Sequence, residues 1–238
     1  MSVYKRNKGD MLWENARIVA ADIPLNRQNA SRILPFGMRL TDDEKATIFI
    51  ADYTKTSFTS PYRETALLMH VKTPLGKGIH CPWMLVDDDT ALIYGRELLG
   101  YPKKMAQFSF IEKKDCMQAS VKRRNHVILS LKAEIGLPQE SPNPFFSIKT
   151  FNPGGPGQFL FFNFIWMVKS KEIIRQSYDA RVSISVNHSI FDPISEIISG
   201  KPFNGRFIVM DIPPGGYILP VGITGPRWAG KVHTIRFE

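Results

Sequence analysis

The sequence predicts one β-rich barrel or sandwich domain spanning residues 1–238. Three observations lead there. Apolar, β-branched and aromatic residues cluster in many short segments. Gly, Pro, Asn and Asp bound those segments. Helical patterns are few, and no internal repeat is visible. A length of 238 residues suits one large domain or two small ones, and a hydrophobic fraction of 43% is ample for a core.

The elements follow in order. "NARIVAADI" (15–23) reads as the first strand, and "LNRQNASRILP" (25–35) as a helix that Pro35 ends. Strands are expected at 45–53, 64–73, 81–89, 90–95, 105–114, 116–124 and 126–135. "RRNHV" (123–127) reads as a hairpin corner. From Gly136 to Gln158 the chain is rich in Pro and Gly, a loop with a strand fragment "FFSIKTF" inside it. Its Gly-Gly-Pro-Gly run lacks the strand-to-helix setting of a phosphate loop. Strands resume over "QFLFFNFIWMVKSKEIIRQSYDARVSISVNH". "DPISEIISGKP" carries the strongest helix signal: Asp192 as cap, Pro193 in the first turn, Gly200 at the stop.

Composition excludes several classes. The longest apolar run, "FLFFNFIWMV", is too short to cross a membrane and is broken by Asn163. The N-terminal residues carry charge but no apolar stretch behind it, so no secretory signal is expected and a cytoplasmic setting is. Cys81 and Cys116 do not make a disulfide framework, and the five His are scattered. No metal and no cofactor is expected. The net charge of +9 is spread along the chain without a nucleic-acid module, so no nucleic-acid partner is expected. A basic field does draw in small anions.

The informative stretch is "GRELLGYPKKMAQFSF", Gly95 to Phe110. Two lysines follow a proline and lead into an alternating apolar run. If the strand starts at Lys103, the two ammonium groups point to opposite faces. One plain explanation is a surface pair that guards a sheet edge. The other is an amine nucleophile. A free lysine, pKa ~10.4, is only about 0.04% neutral at pH 7. Lowering that pKa by about 4 disfavours the ammonium by roughly 5 kcal/mol, which burial can supply and a neighbouring cation can assist. Because Lys104 should point away, burial is expected to be the larger effect.

The segment Gly95–Lys104, with Gly-Arg-Glu-Leu, two variable residues and Tyr-Pro-Lys-Lys, resembles the signature of the acetoacetate decarboxylase family. That family's enzyme is a known example of a lysine nucleophile activated by its surroundings. "PYRE" (61–64), "SRILP" (31–35) and "DPISEIISG" (192–200) resemble further segments, so the likeness spans most of the chain. The resemblance implies an α+β, β-rich domain around a cone-like β-barrel or curved antiparallel sheet with few helices. It implies a homo-oligomer and a β-keto acid or ketone as substrate. It also implies Lys103 as the Schiff-base lysine, Lys104 as the neighbour linked to its pKa, and Glu64 as the glutamate that orients substrate or handles protons. Arg17 lies near the family's substrate-orienting arginine, across a gap in the alignment. Arg96 and Glu97 are expected to hold the turn by ion pairing.

One position departs from the family. Its second acid falls near Phe49, where no carboxylate is in register; Asp52 lies three residues further on and should face the other way. That departure opens a second reaction class, aldol condensation with dehydration. A third reading is a barrel that binds an apolar ligand without catalysis. Phe49, Met69, Leu85 and Phe108 are candidates for the pocket wall, with Phe49 and Met69 foremost. His70, six residues from Glu64, has the parity to face the same side.

Overall fold

The computed structural model describes residues 11–155 and 163–238. Among these residues fifteen strands form one sheet. Its centre is β1 (Trp13–Pro24), β3 (Lys45–Tyr53), β5 (Tyr62–Thr73) and β6 (Gly76–Val86), with the short β2 (Arg39–Leu40) and β4 (Lys55–Thr56) attached. Beyond β6 lie β7 (Lys103–Met105), β11 (Thr150–Pro153), β12 (Asn163–Ser170) and β15 (Gly216–Thr224). Beyond β1 lie β14 (Phe203–Ile212), β13 (Ile173–Val186), β10 (His126–Pro138), β9 (Cys116–Arg123) and β8 (Gln107–Lys113). Pairing is antiparallel except where β7 and β11 join β6. The sheet is not closed. This is the β-rich α+β class expected, as an open sheet rather than a sealed barrel.

The central strands are buried on both faces, so they read as nearly continuous apolar runs. Ile48, Ile50, Leu67, Met69, Trp83 and Leu85 enter one core, which they share with Val121, Leu129 and Leu131 of β9 and β10. Those strands are distant in the sheet order, so the sheet curls over this core. Ala16, Ile18, Phe49, Ala51, Ala66 and Met84 enter a second core on the opposite face.

Among the described residues four α-helices accompany the sheet: α1 (Arg27–Ile33), α2 (Asp89–Leu99), α3 (Pro226–Lys231) and α4 (His233–Phe237). α1 is the helix expected before Pro35, and the Asn26 side chain caps it by accepting from Asn29 N. The corner at Arg124 and Asn125 is a left-handed turn, with φ of 47° and 67°.

Several expectations need correction. Residues 90–95 are helix, not strand, and lie inside α2. Asp88 accepts from Ala91 N, and Gly100 ends the helix in the left-handed region at φ 70°. The expected strand 105–114 is two strands, broken at Ala106, because β7 pairs with β6 and β8 with β9. Of "FFSIKTF" only Thr150 and Phe151 are strand. The segment before them is pinned instead by the Glu172 carboxylate, which accepts from the backbone N–H groups of Phe145, Phe146 and Ser147. The strong helix signal at Asp192 yields one 3-10 turn, Pro193–Glu196, with no side-chain cap. Asp192 is committed elsewhere. The start of the long apolar run, residues 159–162, lies outside the described residues.

Candidate active site

The site begins at α2. The helix runs from the end of β6, and Gly100 turns the chain back toward the sheet. Pro102 then leads into β7, whose Lys103 pairs with Met84 and Lys104 with Leu85. Met84 and Leu85 belong to opposite cores. Alternation along three residues therefore sends the two lysines to opposite faces, as the sequence suggested.

The Lys103 stem passes against the helix backbone. A Cβ at Gly95 would collide with Lys103 Cδ, at 2.5 Å, and with Cε. Gly95 is therefore glycine for space, and Gly100 for its backbone conformation. Arg96 Nη1 donates to Lys103 O at 3.0 Å and to Arg236 O at 3.4 Å. It holds the turn through carbonyls rather than by the expected ion pairing, and Glu97 is exposed.

Lys103 Nζ stands 2.5 Å from Glu64 Oε2, and both side chains are almost wholly buried, at 7% and 5% exposure. Tyr53 OH donates to Glu64 Oε1 at 3.4 Å. The Tyr62 ring centroid is 5.5 Å from Lys103 Nζ. Trp13 Nε1 donates to Tyr62 OH at 2.9 Å. Burial raises the Tyr53 and Tyr62 phenols well above their ordinary pKa, with the Glu64 charge adding to it, so both stay neutral. This group lines a cavity of about 490 Å³, whose walls include Phe58, Met84, Tyr94, Leu98, Tyr101 and Phe146.

Lys104 lies on the other side of the sheet. Its Nζ sits 2.7 Å from Asp192 Oδ1 and donates to Phe191 O and Ile235 O. Burial pushes its pKa down to about 8, against the pull of Asp192. Burial also favours the neutral form of Asp192, but the Lys104 ammonium and Arg123 hold its carboxyl below the usual range. Asp192 Oδ1 also accepts from Trp83 Nε1 at 2.8 Å, and Oδ2 accepts from Arg123 Nη1 at 2.9 Å. A fully committed carboxylate cannot cap the turn that follows it.

The remaining candidates do not reach the cavity. Arg17 faces the other core, pairs with Glu112 of β8, and lies over Phe207. Met69 and Leu85 are buried in that same core, and Phe108 packs against it. Phe49 shares the face of Glu64 but is covered by Phe145 and Phe146, with ring centroids at 5.4 and 5.8 Å. Asp52 faces away, as its parity implies, and pairs with Arg63 at 3.1 Å. His70 is on the Glu64 face, yet at its far end. There it contacts Thr47 Oγ1 at 3.0 Å, and Thr47 donates to Asp22.

The true walls went unread because most come from loops and from the helix taken for a strand. Tyr62, two residues before Glu64 on the same face, carried a signal, as did Tyr53, with the parity of Phe49 in the expected strand 45–53, and Tyr101, two residues before Lys103 in the motif. Cys81 is buried, and burial pushes its thiol up to about 12, so it is inert. Among the described residues no cluster of His, Cys, Asp or Glu is suited to a metal. No helix there is long and apolar enough to cross a membrane.

Fold and site together define a class: a β-rich scaffold that holds a lysine amine against a carboxylate in an aromatic cavity. A sequence model of the acetoacetate decarboxylase (ADC) family matches residues 2–214, and the chain belongs to that family. Solved structures agree on the fold. Acetoacetate decarboxylase from Legionella pneumophila subsp. pneumophila str. Philadelphia 1 is 16% identical, with TM-score 0.74 over 90% of each chain. The enduracididine biosynthesis enzyme MppR, complexed with pyruvate, is 12% identical with TM-score 0.72, covering 86% of this chain and 88% of that one. An acetoacetate decarboxylase-like enzyme from Sphingomonas wittichii RW1 is 13% identical with TM-score 0.70, covering 87% and 91%. No curated protein matches the sequence.

Proposed function

We propose that the protein is an imine-forming enzyme whose nucleophile is Lys103, and that it decarboxylates a β-keto acid. The observation that carries this reading is the buried Lys103–Glu64 pair at 2.5 Å, facing an open cavity. Lys103 passes a proton to Glu64, and the amine so freed adds to the ketone carbon. The carbonyl oxygen leaves as water, and a protonated imine forms. The bond to the carboxylate then breaks, and its electron pair passes toward the iminium nitrogen. Carbon dioxide departs and a neutral enamine remains. A proton returns to carbon, and water releases the ketone and regenerates the lysine. Glu64, within hydrogen-bond reach of Nζ, is suited to carry these protons. An apolar cavity favours fragmentation because charge is neutralised as carbon dioxide leaves.

A second reading, addition to an aldehyde followed by dehydration, has a specific observation behind it. Arg17 faces the other core, and the position of the family's second acid is occupied by Phe49. Both departures concern groups that would handle a substrate carboxylate or its protons. The two readings share the imine and separate at the next bond.

The test is to incubate the protein with acetoacetate, add borohydride, and map the adduct by peptide mass. A reduced adduct on Lys103 with carbon dioxide released supports decarboxylation. An adduct without carbon dioxide supports the second reading. Absence of adduct with acetoacetate and with a panel of small ketones leaves a ligand-binding scaffold instead.

A further inference from the structure

Five aromatic rings form a continuous track from the lysine to the surface. Lys103 Nζ lies against Tyr62. Tyr62 packs on Tyr53 at 4.7 Å between centroids, Tyr53 on Trp13 at 5.7 Å, Trp13 on Phe58 at 5.1 Å, and Phe58 on Tyr94 at 5.3 Å. All five line the same cavity. Burial falls along the track: Tyr53 and Tyr62 are 2% and 3% exposed, whereas Tyr94 at its outer end is 46% exposed and Leu98 beside it 48%. Trp13 Nε1 and Tyr53 OH at the inner end are already engaged, with Tyr62 OH and Glu64 Oε1. Ser57 Oγ, and Glu64 Oε2 apart from its contact with Lys103, accept no hydrogen bond among the described residues, and the rest of the wall is chiefly ring and alkyl surface.

The cavity is also large for a four-carbon acid. At ~30 Å³ per water its volume of about 490 Å³ holds roughly sixteen. Cavities of roughly 300–1,000 Å³ enclose drug-sized ligands. A four-carbon substrate would leave most of this space wet, beside aromatic walls that gain nothing from water.

We propose that the substrate is a carbonyl compound with an aromatic or extended apolar tail. Its carbonyl sits at Lys103 and its tail lies along the rings toward Tyr94 and Leu98. This rests on the imine-forming reading of Lys103 and adds the substrate class.

The experiment is borohydride trapping with two methyl ketones, acetone and 4-phenyl-2-butanone, over a range of concentrations. Both are expected to label Lys103, with half-saturation for the phenyl ketone lower by about tenfold or more. That gap is expected to shrink in Phe58→Ala and in Tyr94→Ala. Equal or weaker labelling by the phenyl ketone overturns the tail proposal and leaves the imine reading standing. A gap that persists undiminished in both variants overturns the track as its cause. No labelling by either ketone, in protein whose circular dichroism shows an intact sheet, overturns the imine reading and this inference with it.

Discussion

Lys103 and Lys104 are neighbours in sequence with unlike environments, and each yields a prediction. The Lys103 stem occupies the space that a side chain on Gly95 would need. Gly95→Ala is expected to displace Nζ from Glu64 and cut imine formation on Lys103 by about tenfold or more, since small misplacements near reacting atoms are costly. Borohydride trapping kinetics measure it, and labelling at the normal rate would refute it. Lys104 makes a pH prediction. Its folded pKa of about 8 lies below the unfolded value, so the folded state binds fewer protons between about pH 8 and 10.5. Stability therefore rises with pH across that window, by about 3 kcal/mol from this group. Urea unfolding at pH 8 and pH 10 reads it, and the rise should be smaller in Lys104→Met. An equal rise in that variant would show that the gain comes from other groups.

The element that organises the site is α2. Its start is secured by Asp88, which accepts from Ala91 N at 2.7 Å and from Thr59 Oγ1 at 2.7 Å. The second bond ties the helix to the loop that carries Phe58. Asp88→Ala is expected to cost about 1–2 kcal/mol of stability by loss of the cap. It should also weaken trapping of the phenyl ketone, because Tyr94 and Phe58 are held by the two ends of that link. Thermal unfolding and the trapping curve check the two parts separately. The strand reading of residues 90–95 failed here for a physical reason. Six apolar-rich residues fit either element, and the deciding signals, Asp88 and Gly100, lie outside the segment.

Across the whole molecule, Asp192 joins parts far apart in sequence. It binds Trp83 of β6, Lys104 of β7 and Arg123 of β9. Lys104 in turn holds α4 through Ile235 O. Asp192→Asn would leave the buried Lys104 ammonium without its counter-charge and weaken the hold on Arg123, and a loss of roughly 3–5 kcal/mol is expected. A urea midpoint close to the wild type would refute this. Since Lys103 is the residue before Lys104, the variant should also lower imine formation where the fold survives. That loss would mean that Lys104 supports the candidate nucleophile by anchoring its strand from the opposite face of the sheet.

Much was legible in the sequence. The strand-rich class, the strands of the sheet centre, the hairpin at Arg124 and Asn125, and the helix before Pro35 follow from local periodicity and turn chemistry. Lys103 and Glu64 stand out as candidates through the family resemblance carried by the motif at 95–104 and "PYRE". The opposed directions of the two lysines needed only the two-residue period of a strand. Tertiary structure alone decided what surrounds them. Arg17 and Met69 have the right chemistry and the wrong face, Phe49 the right face but a covering of rings, and Asp192 the spacing of a cap but a buried charge cluster to serve. Local rules act over a few residues, whereas the cavity is assembled from β1, β5, α2 and loops brought together by a curled sheet, and no period in the chain records which of them will meet.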